Sequence, residues 1–281
     1  MSFKNRFFCV NKKLLATALA LPVMITACSI ICPFKSAPCA PTKTSKEETS
    51  KAVQKKNLPD KKAEKSETKT KTGQDEVVYS LDFSQKSKED ARKWLTQKGF
   101  SFESDAKSQS SLALSFANES LVLHAKKKLF GLSINGNLNL KDAKKIKITW
   151  AVENYPKGAS YDKGVNNEAI MVYVYFGDKK LSSDSMFIPN SPYFIGLYLG
   201  EIDKTNSPVI GNHFKEGGRF ICLANPKPGE TIVSEFDLDK GFKECFGNDK
   251  TVPFVSGIAL EVETSNTGPS KSFIKKIEII N

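Results

Sequence analysis

The sequence predicts a mainly β domain over residues 74–281, a jelly-roll-like antiparallel β-sandwich with one or two short helices. Three observations predict it. After Gly73 the chain becomes a succession of short alternating or wholly apolar runs separated by Gly, Asn, Asp and Pro, the pattern of strands and turns. Only two stretches carry a helical pattern with a cap and a stop. No segment repeats with a period of roughly 20–50 residues, and roughly 205 residues suffice for one sizeable core.

The first predicted strand is 76–82. A short helix follows Ser87, running through Trp94 and Leu95 to a stop at Gly99, with Ser87 placed to cap the first free amides. Strands are predicted at 111–116, 120–126 and 129–134, and then at 145–153. In 145–153, Ile146, Ile148, Trp150 and Val152 share one side and Lys147, Thr149 and Glu153 the other, so the first set faces the core. The strand 169–176 sets Ile170, Val172, Val174 and Phe176 against Met171, Tyr173 and Tyr175. Strands 194–199, 219–224 and 230–236 precede a second helix from Asp239 to Phe246, closed by Gly247. In 255–264, Ile258, Leu260, Val262 and Thr264 point inward and Glu261 and Glu263 outward; 272–280 is the last strand. Two strands are thus expected to present aromatic and carboxylate groups on faces away from the core.

The 281 residues carry 42 Lys and Arg against 31 Asp and Glu, a formal charge of +11 that, taken whole, suggests a nucleic-acid or anionic-surface binder. The distribution argues otherwise. Residues 1–27 hold Lys4, Arg6, Lys12 and Lys13 and no acid, and residues 28–73 hold eleven Lys against five acids. Residues 74–281 hold 27 basic and 26 acidic side chains, a net charge of +1, so nucleic acid is not an expected partner.

Residues 1–27 read as an export signal. A basic segment precedes the fourteen mostly apolar residues Leu14 to Ala27, too few for a membrane-spanning helix, which needs roughly 20. That stretch ends in Ile25-Thr26-Ala27-Cys28, which resembles the bacterial lipobox. The resemblance implies cleavage before Cys28, diacylation of its thiol and acylation, palmitate among the chains, of the new amino group. Two or three acyl chains exceed what stable anchoring requires, because each buried methylene contributes roughly 0.8 kcal/mol. The same resemblance implies, through Ser29, the outer rather than the inner membrane of a diderm envelope. Residues 28–73 then read as a Lys-rich tether with too little apolar content to offset its ordering entropy. As a flexible coil of about 40 residues it spans on the order of 35 Å. It is either a solvated spacer or a segment drawn to anionic lipid or cell-wall polymer, and only the second weakens with salt.

Of the six cysteines, Cys9 lies in the signal and Cys28 is the lipidation site, leaving Cys32 and Cys39 near the anchor and Cys222 and Cys245 in the domain. An even remainder in an oxidising compartment makes Cys222–Cys245 the disulfide to test, with two buried thiols as the alternative. No CxxC occurs, which argues against redox and zinc-finger roles.

Several runs resemble the bacterial domain of unknown function 3047. They are Leu121-Val122-Leu123-His124-Ala125, Gly131-Leu132, Ile148-Thr149-Trp150, Pro156-Lys157-Gly158-Ala159, and Asn167-Glu168-Ala169 leading into Val172-Tyr173-Val174-Tyr175-Phe176. Toward the C-terminus Phe242-Lys243-Glu244-Cys245-Phe246-Gly247, Gly257-Ile258-Ala259-Leu260 and Glu263-Thr264-Ser265-Asn266-Thr267-Gly268 continue the likeness in consistent order. The resemblance implies an exported jelly-roll-like sandwich without an established activity. The chain departs from that pattern at Met171, where an arginine is common, at Glu168 and Glu263, where aspartates are, and at Ser265, where another acid is.

Catalytic signatures are sparse. His124 and His213 are isolated, and HExxH, GxSxG and GxxxxGK[ST] are absent. Glu261 and Glu263, alternating on one strand, lie roughly 6.5–7 Å apart at the backbone, a spacing that permits carboxylate-pair glycoside chemistry without specifying it. Two binding readings are stronger. Tyr173 and Tyr175, with Tyr155, Tyr161 and Tyr198 nearby in sequence pattern, offer rings that stack on sugars, and Glu261, Glu263 and Asn266 offer acceptors for sugar hydroxyls. The loop Asp162, Asn166, Asn167 and Glu168 gathers hard oxygen ligands of the kind a structural calcium ion takes, without EF-hand spacing. The expectation is a lipid-anchored envelope protein acting as a binding or structural module for glycan or peptidoglycan, with a glycan-processing enzyme as the alternative.

Overall fold

The computed structural model describes residues 76–85 and 89–281. The signal segment, Cys28, the tether, Cys32, Cys39 and Ser87 lie outside the described residues. Among the described residues the elements run β1 (Val77–Asp82), α1 (Ala91–Gln97), β2 (Ser101–Ser104), β3 (Leu112–Ala117), β4 (Ser120–Ala125), β5 (Phe130–Asn135), β6 (Lys145–Asn154), β7 (Glu168–Leu181), β8 (Ser191–Leu199), β9 (Pro208–Val209), β10 (Gly218–Ala224), β11 (Ile232–Asp237), α2 (Leu238–Phe246), β12 (Val255–Glu263) and β13 (Ser270–Ile280). They form a β-sandwich. One sheet has the order β11-β6-β13-β4-β3 with β1 added to β13, and the other the order β2-β5-β12-β7-β8-β10-β9.

The core between the sheets follows the period-two reading. Ile146, Ile148, Trp150 and Val152 from β6 meet Ile170, Val172, Val174 and Phe176 from β7, with Ile258, Leu260 and Val262 from β12, all fully or nearly fully buried. The Trp150 indole donates to Ser234 Oγ at 3.0 Å, which satisfies its one polar atom inside the core. Phe83, Trp94 and Phe116 pack α1 onto one corner, with ring centroids 5.3–6.2 Å apart. Phe242 and Phe246 pack α2 against Phe176 and Tyr193 at the other end.

Four expectations are corrected. α1 starts later than predicted: Asp90 accepts the Lys93 N–H at 2.7 Å and is its cap. The sandwich is not wholly antiparallel, because β8 and β10 pair in parallel across the excursion through residues 200–217. β2 and β9 were not foreseen; they are four- and two-residue edge strands too short to show a period. Cys222 and Cys245 are separate buried thiols rather than a disulfide. Cys222 lies among the side chains on the far face of the seven-stranded sheet, whereas Cys245 projects from α2 into the main core.

Candidate functional site

The predicted site residues collect on the face of the seven-stranded sheet that points away from the main core, in an arrangement set by strand register. β12 places Gly257, Ala259 and Glu261 on this face. Gly257 stands opposite Tyr175 and Ala259 opposite Tyr173 on β7, while Ala259 stands opposite Ile134 and Glu261 opposite Leu132 on β5. β8 continues the rows with Phe194 beside Tyr175, Gly196 beside Tyr173 and Tyr198 beside Met171. A register shift between Glu261 and Glu263 brings Glu263 opposite Glu168.

The outward faces of β7 and β12 were predicted correctly in direction and wrongly in exposure. Tyr161, Met171, Tyr173, Phe194, Tyr198, Cys222 and Ala259 form a second buried cluster. Gly196 makes the layer close, since a Cβ there would stand 2.4 Å from Met171 Sδ and 3.2 Å from the rings of Phe220 and Tyr173. Tyr161 packs tilted against Tyr198 with ring centroids 4.5 Å apart, and Phe194 meets the edge of Tyr173 at 5.3 Å. Tyr173 is 6% exposed and Glu261 is 7% exposed, so neither is open to a ligand.

Inside this layer sits a carboxyl pair that the sequence had divided between two hypotheses. Glu168, expected in a calcium loop, begins β7, and its Oε2 accepts the Tyr161 hydroxyl at 2.7 Å. Glu261 Oε1 accepts the Tyr173 hydroxyl at 2.8 Å. Glu168 Oε1 is buried without a hydrogen-bond partner, in the field of Glu261. Burial, and then the neighbouring carboxylate, push Glu168 well above the usual carboxylate range. Burial pushes Glu261 up to about 8, and Glu263 is also raised. A proton on Glu168 Oε1 turns a repulsive contact into a donor facing an acceptor, so the pair is stable with at least one proton bound.

The remaining predicted residues frame this cluster. Glu263 is half-buried, its Oε1 accepting the Ser265 N–H at 2.8 Å and Asn167 Nδ2 at 3.4 Å. Asn167 Oδ1 accepts the Asn266 N–H at 3.1 Å and the Thr267 hydroxyl at 2.9 Å, so Asn167 clamps the β12–β13 turn, and Asn266 is exposed beside it. Asp162 is engaged elsewhere, accepting the Lys204 N–H at 2.7 Å, and Asn166 is half-buried. The four calcium-loop residues are therefore spread among separate partners. No cluster of three or more His, Cys, Asp or Glu suited to a metal occurs among the described residues. Tyr155 lies outside this layer and donates to the Pro226 carbonyl at 2.9 Å.

Sequence reasoning missed Asp203, which is 4% exposed and accepts Ser160 Oγ at 2.7 Å and the Tyr198 hydroxyl at 3.2 Å, tying two loops over the aromatic layer. It also missed the half-exposed Leu132 and Ile134. Ile134 stands beside Ala259, Leu132 beside Glu261 and half-exposed Tyr175 beside Gly257, so these three side chains line a shallow apolar trough over the buried Gly257, Ala259 and Glu261, with Glu263 and Asn266 beyond its end. On the other sheet a depression of about 290 Å³ lies between Ser120, Ala151, Phe273 and Lys275 and contains none of the predicted site residues.

No protein family and no curated protein matches the sequence. Among solved structures the chain is similar to BiXyn10A CBM1 in its apo form (7% identity, 74% of this chain and 99% of that chain, TM-score 0.34). It is also similar to the family GH12 endoglucanase 3 of Trichoderma harzianum (11%, 65% and 91%, TM-score 0.36) and to the potassium-bound Emp46p carbohydrate recognition domain (14%, 71% and 95%, TM-score 0.38).

Proposed function

We propose that the protein is an exported, lipid-anchored binding module that holds an extended glycan, such as a peptidoglycan strand, along the β12 trough. The observation that carries the reading is the strip of half-exposed Leu132, Ile134 and Tyr175 that flanks β12 at Glu261, Ala259 and Gly257, all three buried beneath it. A sheet face left to water alternates toward polar side chains; this one keeps half-exposed apolar side chains on either side of β12, above its buried small residues. Tyr175 offers a ring for the apolar face of a sugar, and Glu263 and Asn266 accept and donate hydrogen bonds at one end. The buried layer of Tyr173, Glu261 and Glu168 supports the floor and does not touch the ligand. Acyl chains on Cys28 hold the module on the membrane.

A glycan and peptidoglycan array probed with the mature chain tests the trough. Binding lost in Tyr175→Ala and retained in Tyr155→Ala supports it, and absence of binding to every polymer removes it. Acyl chains on the Cys28 peptide, read by mass spectrometry and absent in Cys28→Ser, test the anchor separately.

Glycan cleavage is a second reading, favoured by one observation: Glu261, held at about 8, stays protonated at neutral pH as a general acid must, with Glu263 two residues away. Its burial under Tyr173 counts against it. Turnover of a glycan that disappears in Glu263→Gln is the result that establishes it.

A further inference from the structure

We propose that the tip of the β7–β8 hairpin is a membrane-contact element, which sets that end of the sandwich against a phospholipid bilayer. The tip carries Met186 and Phe187, 95% and 78% exposed, the most exposed large apolar side chains among the described residues. Water disfavours such exposure, and the loop's own hydrogen bonds maintain it. Ser183 is fully buried; its N–H donates to Asn190 Oδ1 at 3.2 Å and its hydroxyl reaches the Ser185 and Ile188 carbonyls. The Phe187 N–H donates to Ser185 Oγ at 3.2 Å. Asp184 Oδ2 accepts the Lys215 N–H at 2.8 Å, bracing the hairpin on the neighbouring loop. The pair is thus presented outward by a built turn.

The partner follows from where the chain enters the domain. Glu76 is hydrogen-bonded to Asn281 (Asn281 N–H to Glu76 O, 3.0 Å), and Ile280 pairs with both Val77 and Lys145. The Lys144 carbonyl accepts the N–H of Leu238, where α2 begins. From α2, Phe242 packs on Phe176 and Tyr193 at the base of the hairpin, with centroids 5.1 and 5.4 Å apart. The preceding 75 residues, with the Lys-rich segment and Cys28, therefore join the domain at the end from which Met186 and Phe187 project. Exposed Lys179 and Lys180 at the hairpin base and Lys215 beside it sit where ammonium groups meet headgroups below an inserted aromatic ring. Exposed Asp178 and Glu216 dilute that charge, so apolar insertion carries the contact and salt weakens it little.

The contact does not depend on acylation, and its test is chosen accordingly. Residues 28–281 carrying Cys28→Ser are mixed with neutral phosphatidylcholine vesicles, to which the basic tether has no electrostatic attraction. Vesicle partitioning is expected to fall at least about tenfold in Met186→Ser/Phe187→Ser. Emission from Phe187→Trp is expected to shift blue on adding vesicles and to be quenched by brominated acyl chains, a readout that does not require a loss-of-function variant. Equal partitioning of the parent and the double variant, no partitioning by either, or an unquenched Phe187→Trp overturns the proposal. A failed glycan array, or a Cys28 that carries no acyl chain by mass spectrometry, bears on the proposed function and leaves this result as it is.

Discussion

Tyr173 on β7 donates its hydroxyl to Glu261 on β12 at 2.8 Å, with both side chains buried on the face of the sheet that points away from the main core. The bond joins the aromatic layer to the carboxyl pair and makes this face a second, smaller core rather than a solvated surface. Its energetic consequences are open to measurement.

Stability is expected to fall as pH rises. Glu261 titrates at about 8 in the folded chain against 4.5 ordinarily, so the native state keeps a proton that the unfolded chain releases between those values. The penalty is absent below about 4.5, grows through neutrality and levels off above about 8; Glu168, raised in the same direction, adds to it. Melting temperature measured from about pH 5 to about pH 9 should decline, and Glu261→Gln should flatten the decline. A melting temperature that climbs over this range contradicts the assignment.

Tyr173→Phe removes one hydroxyl and keeps the ring. It leaves Glu261 Oε1 without its donor, so a loss of about 1–3 kcal/mol is expected, larger at about pH 9 than at about pH 5 because the ionised carboxylate depends on that donor more. Urea melts at the two pH values check it, and equal losses at both would show that Glu261 does not titrate between them.

Gly196→Ala forces a methyl to within 2.4 Å of Met171 Sδ and 3.2 Å of two rings, and is expected to cost about 1–3 kcal/mol. Met171→Ala in the same chain should recover part of that loss, since it vacates the nearest contact. Additive destabilisation in the double variant would mean that the two side chains do not share the space.

Both domain cysteines are expected to be free. Alkylation after denaturation without reductant, read by mass spectrometry, should label Cys222 and Cys245; burial raises both thiols to about 11, so little labelling is expected in the folded state. A mass two units short with neither labelled would identify a disulfide.

Much of the sandwich was legible because period two survives in each central strand. β6 alternates Ile146, Ile148, Trp150 and Val152 with Lys147, Thr149 and Ala151, and the structure buries the first set between the sheets. The same logic failed for the exposure of Tyr173 and Glu261, since alternation names two faces of a strand and cannot tell whether loops cover the second. Here residues 155–168 and 200–217 do so, through Tyr161, Asp203 and Phe214. Glu168 reads as a loop residue because it follows Asn166 and Asn167; the extra β7 residue between Glu168 and Met171, set against Glu261–Glu263 of β12, has no compositional signature. The trough was invisible for a different reason: Gly257 and Ala259 gain meaning only from the neighbours that register gives them, Tyr175 and Tyr173 on one side and Ile134 on the other.

Whether a glycan lies along β12 is read by amide chemical-shift mapping of the mature chain titrated with soluble peptidoglycan fragments and neutral oligosaccharides. Saturable shifts are expected at Leu132, Ile134, Tyr175, Gly257 and Ala259, abolished in Tyr175→Ala. Saturable shifts clustered on the opposite sheet around Ala151 and Phe273, or no shifts with any of these ligands, would contradict that placement.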